Sequence, residues 1–212
     1  MSESRNLEVL GEINEISDEE FYKIYNKALP KQLFPINPTF KIIHVHIPKT
    51  AGTSIRKALF GSDAIRHIKA NEINLSLWEA LPSITIIRDP LERFISNYKY
   101  HVKGKYKGVL FKKNPKLYSM TIEEYAGTYL GKSQLLETQK SFISRIDSNK
   151  KIVDHIIKFD EINVELPRLF KKLEIPVKIE HLKASKKIEI EVPEKVREIV
   201  REYYKEDYEL IN

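Results

Sequence analysis

The sequence predicts a three-layer α/β fold, with a central, mostly parallel sheet flanked by helices. Three observations carry that reading. Short apolar, β-branched runs recur at 41–47, 84–87 and 153–159, and each suits a buried strand. Each run is followed by residues whose apolar positions recur at helical spacing, and strands alternating with helices imply a parallel sheet covered on both faces. The 212 residues fit one large domain, since domains usually run to roughly 100–200 residues.

Taken in order, Ser17-Asp18-Glu19-Glu20 reads as a capping box, and Phe21, Ile24, Tyr25 and Ala28 then mark an amphipathic helix that ends before Pro30. Pro30, Pro35 and Pro38 predict an extended connector on the surface of the main domain. Residues 1–40 are thus read as a helix and connector packed on a domain formed by 41–212. The first strand, KIIHVHI, leads directly into Pro48-Lys49-Thr50-Ala51-Gly52-Thr53-Ser54. A helix through Ile55, Ala58 and Leu59 then stops at Gly61. The second strand runs into Arg88-Asp89-Pro90-Leu91-Glu92, with Asp89 as N-cap, Pro90 at the first helical position and Glu92 completing a capping-box variant. The third strand precedes a helix through Leu166, Leu169, Phe170 and Leu173. Pro193 opens a last helix with Val196, Ile199, Val200, Tyr203 and Tyr204 on its apolar side.

Composition narrows the function. There is no cysteine, which excludes a thiol nucleophile, Cys-ligated zinc, iron–sulfur clusters and disulfides. No apolar stretch approaches the roughly 18 residues of a membrane helix, and the acidic, polar N-terminus has no signal-peptide core, so a cytoplasmic protein with no membrane span is expected. The net charge of +6 favours an anionic partner. From Arg93 to Ile122 there is no acidic residue, while the cations Arg93, Lys99, Lys103, Lys105, Lys107, Lys112, Lys113 and Lys116 crowd the stretch together with Tyr98, Tyr100, His101 and Tyr106. Such a run suits an acidic saccharide, and it suits nucleic acid as well.

A small-residue loop between a strand and a helix turns several backbone N–H groups toward one point at the positive end of the helix dipole, and such a point binds an anion. Lys49 adds a charge there, and Thr50, Thr53 and Ser54 add hydroxyl groups. In a Walker A loop the lysine follows the glycines; here Lys49 comes first, and no Walker B carboxylate is evident, so no metal is required. The loop resembles the 5′-phosphosulfate loop of sulfotransferases that use 3′-phosphoadenosine 5′-phosphosulfate (PAPS). The stretch from Arg88 to Tyr98, RDPLERFISNY, resembles their 3′-phosphate motif, R-x-P-x-x-R-x-x-S-x-Y. The similarity is to the carbohydrate branch, related to heparan sulfate 2-O-sulfotransferase and bacterial proteins of that group. It continues weakly through 159–162, 181–187 and 204–210.

The resemblance implies a P-loop-like fold and transfer of a sulfuryl group from PAPS to an acceptor hydroxyl, leaving 3′,5′-ADP. It implies that Lys49, Thr50, Ala51, Gly52, Thr53 and Ser54 hold the 5′-phosphosulfate and that Arg88 and Ser96 hold the 3′-phosphate. The stretch from Lys183 to Lys187 resembles a loop that closes over the nucleotide in that branch, which implies nucleotide contacts for Lys183 and Ser185. Many relatives carry glycine where this chain has Ala51, which leads to the expectation that the position needs no positive φ. A general base is needed, and histidine, with an unperturbed pKa of about 6.5, suits the task. His67 is chosen for its place between the two motifs, with His46 in reserve. His44 and His46 are read as packed sheet residues rather than a zinc pair, His101 as a residue that touches the acceptor, and His155 and His181 as structural. The acceptor is expected to be a saccharide or another hydroxyl-bearing molecule, with no nucleic acid bound. Two alternatives stay open: a kinase-like nucleotide-dependent enzyme and a basic nucleic-acid-binding module.

Overall fold

Along the strands, side chains pass alternately to two separate apolar layers, as the two-residue repeat of an extended chain requires. The computed structural model describes residues 16–30, 34–61, 66–104, 112, 114–177 and 190–211. Among these, four strands form one sheet in the order β1 (Ile36–Asn37), β2 (Ile42–His44), β3 (Ser83–Ile87) and β4 (His155–Lys158). β2 and β3 are parallel, with Ile43 opposite Ser83, and β3 and β4 are parallel, with Ile84 opposite His155. All five residues of β3 are buried, because the central strand is covered on both faces.

On one face Ile42, Ile84, Ile86 and Ile157 pack against Ile55 and Leu59 of α2 (Gly52–Phe60) and against Leu166, Leu169 and Phe170 of α7 (Ile162–Lys172). On the other, Ile43, Val45, Ile47 and Ile87 meet Phe21 of α1 (Asp18–Tyr25), Leu77 and Trp78 of α3 (Leu75–Ala80), and Phe142 and Ile143 of α6 (Gln139–Ile143). Each such large apolar side chain, fully buried, contributes about 1.5–3 kcal/mol of transfer free energy. A third cluster, rich in aromatic residues, joins α4 (Pro90–Tyr98), α5 (Ile122–Tyr129) and α8 (Glu194–Tyr203) through Phe94, Tyr98, Tyr125, Tyr129, Val200 and Tyr204. The expected α/β class and its mostly parallel sheet are therefore observed.

The elements differ from expectation in places. The proline-rich stretch is not only a surface connector: Ile36 and Asn37 are buried and pair antiparallel with Ile43 and Ile42, making β1 an edge strand. Two residues of strand between prolines are too short a signal to read from periodicity. Pro193 stands one residue outside α8, as its N-cap, and the C-terminal stretch breaks at Tyr204 before α9 (Lys205–Ile211). Glu92 does not close a capping box; its carboxylate pairs with Arg88, 3.2 Å away. Asp89 does cap α4, accepting from the Glu92 N–H at 2.9 Å, with Pro90 first in the helix. Gly61 ends α2 in the left-handed region, φ 63°. No described helix is long and apolar enough to cross a membrane.

Candidate active site

β2 and β3 both end on the same side of the sheet, the carboxyl end where ligands of open α/β sheets bind. Beyond β2 the chain turns through Lys49 and Ala51, both in the left-handed region at φ 68°, and enters α2. Among the described residues, the N–H groups of Lys49, Thr50, Ala51, Gly52 and Thr53 donate to no backbone carbonyl, whereas Ser54 N–H returns to Ala51 O at 3.1 Å. The loop thus presents a row of free donors at a helix N-terminus, the arrangement of an anion-binding nest.

The expectation for Ala51 is overturned: the position does have a positive φ. A Cβ there costs about 1–2 kcal/mol, and the loop bears it because neighbouring contacts dictate its course. One is the buried Thr50 hydroxyl, which donates to Ile47 O at 2.9 Å and so braces the loop instead of pointing outward. The other is His46, whose ring lies so close over Gly52 that a methyl group there would come within 1.7 Å of its Cδ2. Thr53 is exposed and Ser54 half-buried.

Lys49 is half-buried, and its Nζ lies 4.1 Å from the centre of the Tyr100 ring. Burial lowers its pKa, and repulsion from Arg88 adds to the effect, so the two cations feel each other across the site. Lys49 makes no ion pair among the described residues. Arg88 leaves the end of β3 with its guanidinium on Phe159, 4.3 Å from the ring centre, and paired with the exposed Glu92. Exposed pairs of this spacing are worth about 0.3–0.5 kcal/mol, so a phosphate can displace Glu92 easily. Ser96, half-buried, follows Glu92 by four residues on the same side of α4. Lys183 and Ser185, with His181, lie outside the described residues.

Arg93, counted in sequence among the cations of the local field, is fully buried. Its guanidinium donates to Pro48 O at 3.5 Å and to Glu137 O, tying α4 to the start of the loop between β2 and α2. Only the tertiary structure reveals this brace.

The His46 and His67 rings lie 4.8 Å apart. Both carry a buried Nδ1 with no hydrogen-bond partner. Burial pushes the His67 pKa below its ordinary value, Arg93 pushes the same way, and the main chain of His46 opposes them. His46 is driven well down by burial and by the cations and histidines around it, and His44, fully enclosed, falls to about 3. No third ligand joins His44 and His46 in a metal-holding group among the described residues. His101 is buried in a π-turn after α4, with Nδ1 2.8 Å from the Tyr125 hydroxyl, and burial together with Lys49 lowers its pKa to about 4. A side chain so enclosed does not reach an acceptor, contrary to the expectation for His101. His155 is half-buried on β4.

The model of the sulfotransferase family matches residues 32–150, more than half of the chain and the whole of both motifs. The chain belongs to the sulfotransferase family. No curated protein and no solved structure matches it. As a sulfotransferase it is an enzyme of sulfuryl transfer, a reaction for which a hydroxyl group is a suitable acceptor. The match begins at residue 32, so the connector that supplies β1 falls within the sulfotransferase region.

Proposed function

We propose that this sulfotransferase moves the sulfuryl group of PAPS to a hydroxyl of an acidic saccharide. The observation that supports it best is a pair of cations, Lys49 and Arg88, repelling each other beside a row of main-chain donors that, among the described residues, have no backbone acceptor, with no carboxylate of those residues on Lys49. Such a site is incomplete without an anion of more than one charge, and a nucleotide phosphorylated at two positions fits it. When bound, PAPS supplies an activated sulfuryl group whose leaving group is 3′,5′-ADP.

The N–H groups from Lys49 to Thr53 and the Lys49 ammonium hold negative charge at the 5′ end, and they are oriented before reaction. Arg88 and Ser96 hold the 3′-phosphate, and Ser54 and Thr53 offer hydroxyls beside the helix N-terminus. His67, kept neutral by burial, accepts the acceptor's proton. Lys99, Lys103, Lys112 and Lys116 draw an acidic glycan to the site.

The decisive measurement is transfer of labelled sulfate from PAPS to a panel of glycans and phenols. Lys49→Ala is expected to lower kcat by roughly 100- to 1,000-fold, the usual cost of one such donor. His67→Ala is expected to abolish most turnover while 3′,5′-ADP still binds. At a hundredfold excess over Kd, 3′,5′-ADP should stabilise the fold by about 2.7 kcal/mol. Stabilisation by ATP and magnesium with none by 3′,5′-ADP would overturn the proposal.

The two lowered pKa values set the pH dependence. The base works while His67 is neutral, so kcat/KM is expected to hold below pH 6.5 and to fall only as pH drops through the depressed His67 value. An anion favours protonated Lys49, whose pKa is lowered in the free protein. Binding of 3′,5′-ADP should therefore take up protons at alkaline pH and weaken as pH rises. Isothermal titration in buffers of different ionisation enthalpy measures that uptake.

A further inference from the structure

The peptide of Arg88 lies one residue beyond the last β3–β4 pair, Ile87 with Lys158, where the ladder has ended and α4 has not begun. Its backbone groups are nevertheless both satisfied, and by a single side chain. Arg88 N–H donates to Gln139 Oε1 at 2.9 Å, and Gln139 Nε2 donates to Arg88 O at 2.8 Å. An N–H and a carbonyl of one residue held together by one partner is how a hydrogen-bonded pair in an antiparallel sheet is joined, so the Gln139 amide replaces a missing strand. The two bonds also fix which end of the amide is oxygen.

Gln139 is held in turn. It is fully buried, and its own N–H donates at 2.8 Å to Oδ2 of Asp207, also fully buried, whose Oδ1 accepts from Lys140 N–H at 3.0 Å. Asp207 comes from α9, well beyond the family match, and caps the first turn of α6 from outside it. The chain of contacts runs from α9 through α6 to the backbone of the residue assigned to the 3′-phosphate.

We infer that Gln139, fixed by Asp207, is a positioning residue that aims Arg88 and so sets the preference for a nucleotide carrying a 3′-phosphate. This rests on the donor reading proposed above. Among the described residues, the side chain of Arg88 is steadied by Phe159 and an exposed carboxylate, so its aim depends on where its peptide is held. Displacements of about 1 Å at such a group can cost roughly a hundredfold in function.

The test compares 3′,5′-ADP with 5′-AMP by calorimetry, since the two share the 5′ end and differ only at the 3′-phosphate. Wild type should bind 3′,5′-ADP more tightly, and Arg88→Ala should lose that preference. Gln139→Met keeps the volume and removes both bonds; it should weaken 3′,5′-ADP binding by about tenfold, one strong hydrogen bond's worth, and leave 5′-AMP binding unchanged. Asp207→Asn, which leaves Gln139 in place, should move the ratio in the same direction by less, and it carries the test if Gln139→Met does not fold. Folded variants that keep the wild-type ratio would overturn the inference while the donor reading stands. A wild type with no preference for 3′,5′-ADP would overturn the donor reading itself, and this role with it.

Discussion

Ala51 and Gly52 exchange the roles that their chemistry first implies. The left-handed backbone falls on Ala51, and the glycine beside it, which has no positive φ, is needed for room under the His46 ring. Two substitutions separate these demands. Ala51→Gly relieves about 1–2 kcal/mol of strain against about 0.4–1 kcal/mol of added unfolded-state entropy, so urea unfolding should show a variant as stable as the parent or more stable by up to about 1.6 kcal/mol. Gly52→Ala must displace His46 and should cost about 1–3 kcal/mol, with loss of sulfuryl transfer in the fraction that folds. A Gly52→Ala protein with parental stability and activity would mean that the ring moves away freely.

At the scale of elements, the junction of β3 and α4 shows how a local signal and a distant contact divide the work. Asp89 and Pro90 start α4 as short-range chemistry dictates, and this start was legible from five residues. Asp89→Ala should cost about 1 kcal/mol of stability, read from the shift in the urea midpoint, because Glu92 N–H loses its acceptor. The same five residues also carry Glu92, whose reading as a cap failed because an adjacent guanidinium offers its carboxylate a stronger partner than a backbone N–H does. Nothing near Gln139 in the chain announces its target. Thr138 marks a helix start by accepting from Ser141 N–H, but the side chain one residue on reaches back across 51 positions to Arg88.

Over the whole molecule, a group of histidines kept neutral by burial ties stability to pH. In the folded state His44 titrates only near pH 3 and His101 near pH 4, while the unfolded chain protonates both at about pH 6.5. Below about pH 6.5 the unfolded state therefore binds more protons, and stability falls as pH falls, by about 1.4 kcal/mol per pH unit for each histidine that stays neutral. The loss ends once pH drops through the folded values. Urea midpoints should change little from pH 7.5 to about pH 6.5 and decline from there to pH 5, and His44→Leu should flatten that decline by one histidine's share; a flat parental profile would mean that the folded histidines are charged.

Strands, helix starts and the two motifs inside the family match were readable along the chain, because each depends on residues within one or two turns of each other: a β-branched run, a cap and a proline, a lysine before small residues. The packing of these elements decided the rest. It turned a proline-rich connector into an edge strand, enclosed Arg93 and His101, set His67 against His46, and brought Asp207 and Gln139 beneath Arg88. Those outcomes hinge on which surfaces exclude water and which polar groups are left to find a partner there, and partners far apart in sequence meet only after the core has formed.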